Sequence, residues 1–250
     1  MTPQTVKPSI LGIIPARGGS KRLPRKNVMP LRGKPVISYT IEAAMEAESL
    51  SRVIVTTDDE EIADVARSQG VDIPFVRPAS LADDFSTVGD VASHAVSWLA
   101  QHEGYEPDIA VVLQPSSPLR TVQHIDEAVA LCTDSGSDGC ASVCEPDYHP
   151  YWMQVIVDGN LRLYEPKGQE YQRKQDLPEV YRPNGAIYVY RPEVLARQAD
   201  HGRQGLMCLT LQHDIKPYIM RREDSANIDT LSDFRMAEFF LDLRASDKAG

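Results

Sequence analysis

Strand-length apolar runs alternate with helix-period stretches through the first 145 positions of the chain. The run 10–14 (ILGII) predicts a buried strand. Positions 36–47 repeat apolar residues at helical spacing, and 53–56 (VIVT) predict a second strand that ends in Thr57, Asp58 and Asp59. A helix is expected at 59–68, with Ile62, Ala63, Val65 and Ala66 on its apolar side. A short strand near 74–76, a helix at 88–101, a strand at 109–113 (IAVVL), a helix at 125–132 and a strand at 139–143 continue the alternation. Continuous apolar strands separated by helices predict an α/β fold, a mostly parallel central sheet with helices on both faces. Ligands of such sheets bind beyond the carboxyl ends of the strands. The polar clusters at 17–27, 58–60 and 114–120 are therefore expected on one edge.

The rhythm breaks at 145–183, where aromatics, an Asp158-Gly159-Asn160 turn and a charged stretch at 167–174 replace it. This segment reads as an arm, with a hairpin, inserted into a single domain spanning 1–250. Strands return at 186–190 (AIYVY) and 218–220. A terminal amphipathic helix is expected at 230–244, with Phe234, Ala237, Phe240 and Leu241 on one face and Thr230 as its cap.

Charge sharpens this picture. The net charge is −10, which argues against general nucleic-acid binding. Positions 1–41 nevertheless hold eight Lys or Arg and no acid, so the other 18 basic side chains face all 36 acidic ones. A basic, folded segment on an acidic body is expected to trap an anion. No apolar run approaches the ~20 residues that span a bilayer, and the polar start MTPQTVKPS lacks the core of a secretory signal. A soluble cytoplasmic protein is expected. Cys132, Cys140, Cys144 and Cys208 show no metal-site spacing and read as buried thiols.

The chemistry concentrates in 15–27, PARGGSKRLPRKN. Gly18 and Gly19, following Ala16, would let backbone N–H groups approach a phosphate, while Arg17, Lys21 and Lys26 supply charge. The segment matches neither the Walker A pattern nor the dinucleotide fingerprint, which sets aside an NAD-dependent oxidoreductase.

IPARGGSKRLPRKN resembles the signature of the acylneuraminate cytidylyltransferase family. Companion motifs follow in order: 55–59 (VTTDD), 77–82 (RPASLA), 113–120 (LQPSSPLR), 182–188 (RPNGAIY) and 227–230 (NIDT). The resemblance covers roughly residues 10–240. It implies a Rossmann-like nucleotidyltransferase that uses CTP, Mg²⁺ and an acidic nine-carbon sugar of sialic or legionaminic type. It also implies a homodimer whose 145–183 arm reaches the partner's sugar pocket. Pseudaminate, the eight-carbon keto-deoxy acid, or nucleotide binding without catalysis are the other readings.

Residue roles follow from the resemblance alone. Arg17, Lys26 and Asn27 would hold the nucleotide, with Ala16, Gly18 and Gly19 in the same loop and Arg77 and Thr87 at its side. Gln114 would bond the sugar, or be only a polar strand end. Tyr188 would line the sugar pocket, or be a core aromatic. Arg173 or Lys174 would meet the sugar carboxylate. Asp229 would ligate the metal, or only cap the last helix. Asn227 stands where the family pattern places a second Asp, and its amide oxygen adds a ligand without charge. Arg17, Lys26 and Asp229 are the expected catalytic set. His149 reads as a general base or a structural histidine at the base of the arm.

Overall fold

The computed structural model describes residues 7–200 and 213–247. Strand β1 (Ile10–Pro15) is apolar on both sides because both of its faces are covered. Its side chains alternate: Ile10 and Ile14 enter one core, Leu11 and Ile13 the other. After the short antiparallel pair β2 (Pro30–Leu31) and β3 (Lys34–Pro35), the chain runs through α1 (Val36–Glu46), β4 (Arg52–Thr56) and α2 (Glu60–Ser68). Then come α3 (Val88–Glu103), β5 (Ile109–Val112), α4 (Val122–Ser135) and β6 (Gly139–Cys144). Helix α2 starts at Asp59, whose carboxylate accepts from Ile62 N–H at 3.1 Å. Helix α3 starts at a Thr87/Asp90 capping box and ends at Gly104 in the left-handed region.

The inserted arm holds the hairpin β7 (Gln154–Val157) and β8 (Asn160–Leu163). Asp158 (φ 50°) and Gly159 (φ 76°) make its two-residue turn, the backbone that matches strand twist. The chain returns through β9 (Arg182–Tyr190), α5 (Pro192–Asp200), β10 (Ile215–Ile219) and α6 (Leu231–Asp247).

The main sheet has the order β10-β6-β9-β5-β1-β4. All its pairs are parallel except those of β9, which is antiparallel to both neighbours. One face packs under α1, α2 and α4 through Ile37, Ile41, Ile62, Ile125 and Val129. The other packs under α3 and α5 through Ala92, Ala95, Leu99, Val194 and Leu195. A mostly parallel sheet with helices on both faces is thus present.

Three details differ from the sequence reading. Residues 74–76 form no strand; single bridges flank Pro74, Ile54 to Asp72 and Thr57 to Val76, since Pro74 has no N–H to extend a ladder. Helix α5 fell in a stretch assigned to no element. Helix α6 buries Phe234 and Ala237, yet Leu231, Met236, Phe239 and Leu243 are exposed on it, so its pattern is not cleanly two-faced. Cys132, Cys140 and Cys144 are buried free thiols, and burial pushes Cys140 up to about 12. Cys208 lies outside the described residues.

Asp224 pins the C-terminal end of the fold. It is 2% exposed, bonds Arg221 at 2.8 Å, pairs with Arg244 of α6 and lies 3.7 Å from His124 of α4. Burial alone would raise its carboxyl; the bonds from Arg221 and Arg244 outweigh burial and hold it below the usual carboxylate value. A depressed carboxyl stabilises the fold above its unfolded pKa, and that contribution is lost as pH falls through the folded value. Asp224→Asn should cost about 3 kcal/mol at pH 7, as expected when a buried pair loses one partner. In urea unfolding, the gap to the wild type should narrow below about pH 4.

Candidate active site

The loop after β1 folds back over the carboxyl ends of β1, β4 and β5, forming a cleft of about 460 Å³. Arg17, Lys21, Arg22, Lys26, Asn27, Arg77, Thr87, Gln114, Ser116 and Asp229 all line it. Two of the three polar clusters expected on one edge, 17–27 and 114–120, line it, and the third, 58–60, holds the first from behind. Gly18 N–H donates to Asp58 at 3.0 Å, which ties the first cluster to the second. Ile228 N–H donates to the Ser116 carbonyl at 2.7 Å, which ties the third to the last loop.

The cations are not left facing one another. Arg17 donates to the Asp83 carbonyl at 2.7 Å and pairs with Asp84 at 3.3 Å. Lys21 also pairs with Asp84. Arg22 bonds Asp229 Oδ2 at 3.0 Å, and Lys26 bonds Asp229 Oδ1 at 3.1 Å and the Ile228 carbonyl at 2.5 Å. Arg25 pairs with Asp59 and Glu61. The charge of the basic segment is therefore met within the protein by acids from distant parts of the chain. Sequence distance hid these partners: Asp229 lies more than 200 positions from Lys26.

Of the two loop glycines, Gly18 serves packing. A Cβ on Gly18 would lie 2.5 Å from Asp59 Oδ2, too close for any side chain. The Gly18 N–H is used by Asp58 rather than held open for a phosphate. Gly19 is exposed with open space around it. Ala16 is fully buried, its N–H on the Thr56 carbonyl at 3.0 Å. Asn27 is buried and donates to the Arg17 carbonyl at 3.0 Å, bracing the loop from within. Arg77 is 5% exposed and bonds the hydroxyl and carbonyl of Thr56. Burial lowers its guanidinium to about 10. Thr87 caps α3 and turns that helix's N-terminus toward the cleft.

The expected sugar contacts divide. Gln114 stands at the cleft, next to Gly185: a Cβ there would lie 3.6 Å from Gln114 Nε2 and 3.1 Å from Asn227 Nδ2. Tyr188 does not reach the cleft. It is 6% exposed in the β9 core beside Tyr190, ring centroids 6.4 Å apart, because its position in the strand points it under α3. Arg173 is paired with Asp176 at 2.8 Å on the arm, and Lys174 lines a separate groove with Glu145 and His149. Neither lines the cleft of its own chain. His149 caps a short turn, its Nδ1 accepting from Tyr151 N–H at 3.1 Å and its Nε2 3.0 Å from the Pro178 carbonyl. This is a structural arrangement.

Beyond Asp229 lies a second hollow of about 750 Å³, which shares Arg22 and Asp229 with the first and adds Asn227, Arg182 and Arg222. Asn227 Oδ1 is buried and has no hydrogen-bond partner among the described residues, while Asp229 offers a carboxylate on the same hollow. One carboxylate and one free amide oxygen fit a hard divalent cation that keeps its waters and takes phosphate oxygens as its other ligands. Among the described residues there is no cluster of three or more His, Cys, Asp or Glu side chains to cage a metal alone. Arg22, Asp84 and Arg182 were not singled out from the sequence. Only their place around Asp229 and Arg17 marks them.

The family described as Cytidylyltransferase matches residues 11–235. The chain is 34% identical to an N-acylneuraminate cytidylyltransferase of Escherichia coli over 93% of its own length but only 52% of that protein. It is 32% identical to a CMP-N,N'-diacetyllegionaminic acid synthase of Legionella pneumophila over 94% of this chain and 97% of that one. A pseudaminic acid cytidylyltransferase of Campylobacter jejuni is 36% identical over 71% and 76% of the two chains. The solved structure of a CMP:2-keto-3-deoxy-manno-octonic acid synthetase complexed with CTP has the same fold, with a TM-score of 0.68 at 20% identity, covering 94% of this chain and 99% of that one. The chain thus spans about half of one curated relative and nearly all of another. With the family match running through the loop after β1 to the start of α6, this protein belongs to the cytidylyltransferase family.

Proposed function

We propose that the protein transfers CMP from CTP to the anomeric hydroxyl of a nonulosonic acid of sialic or legionaminic type, with release of pyrophosphate. One observation carries this reading: four cations of the first loop and buried Arg77 line a single cleft that also holds Asp229 and Gln114. Relatives named as an N-acylneuraminate cytidylyltransferase and a CMP-N,N'-diacetyllegionaminic acid synthase support the sugar class. The Campylobacter relative keeps pseudaminic acid as the second reading.

In the reaction, the anomeric oxygen forms a bond to the α-phosphorus, the bond to the bridging oxygen breaks, and the hydroxyl proton leaves. Catalysis then rests on positioning and on neutralising charge. Arg17 and Lys21 exchange Asp84 for phosphoryl oxygens, a charge-assisted contact that Arg makes with two N–H groups. Arg77, fixed by Thr56, presents a charge whose direction is set before substrate arrives. Lys26 keeps Asp229 in place from a site only 14% exposed. Asp229 and Asn227 would hold Mg²⁺, which neutralises charge on the phosphate oxygens when bound. Gln114 would orient the sugar.

The arm supports a homodimer. Ile156, Leu161 and Tyr164 are each more than 60% exposed on a two-stranded hairpin, an arrangement that is marginal in water unless it is covered. A second copy would cover it and bring Arg173 and Lys174 to its partner's sugar.

A panel of nonulosonates with CTP and Mg²⁺, scored by pyrophosphate release, tests the activity; turnover with none of them would reject it. Arg17→Ala should lower kcat/KM for CTP by about a hundredfold, the scale of one lost charge-stabilising group. Unchanged CTP kinetics would take Arg17 out of the phosphate seat. Asp229→Ala should remove Mg²⁺-dependent turnover, and near-normal activity would release it from the metal. Ile156→Glu should shift the sedimenting species from dimer to monomer in analytical ultracentrifugation.

A further inference from the structure

Arg120 closes the motif LQPSSPLR, and its environment is unusual for a cation. The residue is 3% exposed and makes no ion pair among the described residues. Its Nε and Nη2 are buried without a hydrogen-bond partner among the described residues. Burial lowers the guanidinium to about 9. An uncompensated buried cation is costly, so a compensating role is expected.

Its contacts indicate that role. Nη1 donates to two carbonyls at once, Ala186 at 2.7 Å and Gln114 at 3.2 Å. Strands β5 and β9 pair antiparallel at Ala110–Tyr190, Val111–Val189 and Val112–Tyr188, and then the ladder ends. Continuing the register would set Gln114 opposite Ala186. Arg120 sits where that next rung belongs, bonding both carbonyls that the ladder has released. On the other side of β9 the register with β6 slips between Ala141 and Val143, and the Ser142 hydroxyl takes Ile187 N–H at 2.8 Å. Beyond the split, Gly185 adopts φ 75°, a conformation that suits glycine, beside Gln114 and Asn227.

We propose that Arg120 is a positioning residue: its guanidinium wedges the sheet open between β5 and β9 and so sets Gln114 against Gly185 and Asn227. The inference rests on the reading of Gln114 as the sugar contact. Arg120 touches no substrate itself. Both bonds leave one nitrogen, which the rigid, planar guanidinium holds between the two carbonyls; a lysine ammonium keeps the charge but not the planar body that holds that nitrogen there.

The test compares Arg120→Lys and Arg120→Met with the wild type in steady-state kinetics and in peptide-level hydrogen exchange. Both variants should raise KM for the sugar, about tenfold in the methionine case, with KM for CTP within about twofold of the wild type. The lysine variant should fall between, and it decides the matter alone if the methionine variant does not fold. Amide exchange at 113–117 and 185–188 should quicken while β1 and β4 stay protected. Unchanged sugar KM, equal rises for both substrates, or exchange that quickens across the whole sheet would overturn the proposal. If the wild type turns over no nonulosonate, the activity reading fails, and the exchange pattern still decides whether Arg120 is a wedge.

Discussion

Asp229 sits between two cations from the opposite end of the chain. Lys26 takes one carboxylate oxygen and Arg22 the other, and Lys26 also takes the neighbouring carbonyl of Ile228. Ile228 in turn donates to Ser116. One acidic residue thereby gathers the loop after β1, the loop after β5 and the loop before α6 around a single cleft. Exposed ion pairs contribute little to stability. This one is different in kind, because Lys26 is mostly buried and because the pair fixes three loops that no strand ladder holds. The same carboxylate faces both hollows of the site, so the contact that shapes the cleft also lies where phosphate and sugar would meet.

Charge balance follows from that contact. The acid-free first 41 residues looked like a free positive field. In the folded protein, Asp59, Asp84 and Asp229 each answer a loop cation. A triphosphate would then enter by exchange of anions, replacing Asp84 on Arg17 and Lys21. Such exchange costs less than uncovering a bare cluster of cations, since the cations stay paired throughout.

Much of the fold was legible because strand burial shows as unbroken apolar runs. ILGII, VIVT and IAVVL read as strands for that reason, and the polar clusters behind them did converge. The direction of β9 was not legible, since AIYVY has the same composition in either direction. That unknown hid the split that Arg120 fills, while Tyr188 took the core position, one of the two readings open for it. In the glycine loop, Gly18 answers a steric need at Asp59 and gives its N–H to Asp58, a role the sequence did not show. The arm's cations, Arg173 and Lys174, lie off the cleft of their own chain, and no local pattern in one sequence can show what a second copy brings near.

The central claim is that this cleft is a seat for a nucleoside triphosphate, braced by the Lys26–Asp229 contact. Calorimetric titration of CTP into the wild type and into Lys26→Met, each with Mg²⁺ and without sugar, tests it most directly. The account predicts one CTP per chain for the wild type, binding that weakens as salt is raised, and a severe loss in the variant with the fold retained. Absence of CTP binding by the wild type, or equal binding by the two proteins, would contradict it.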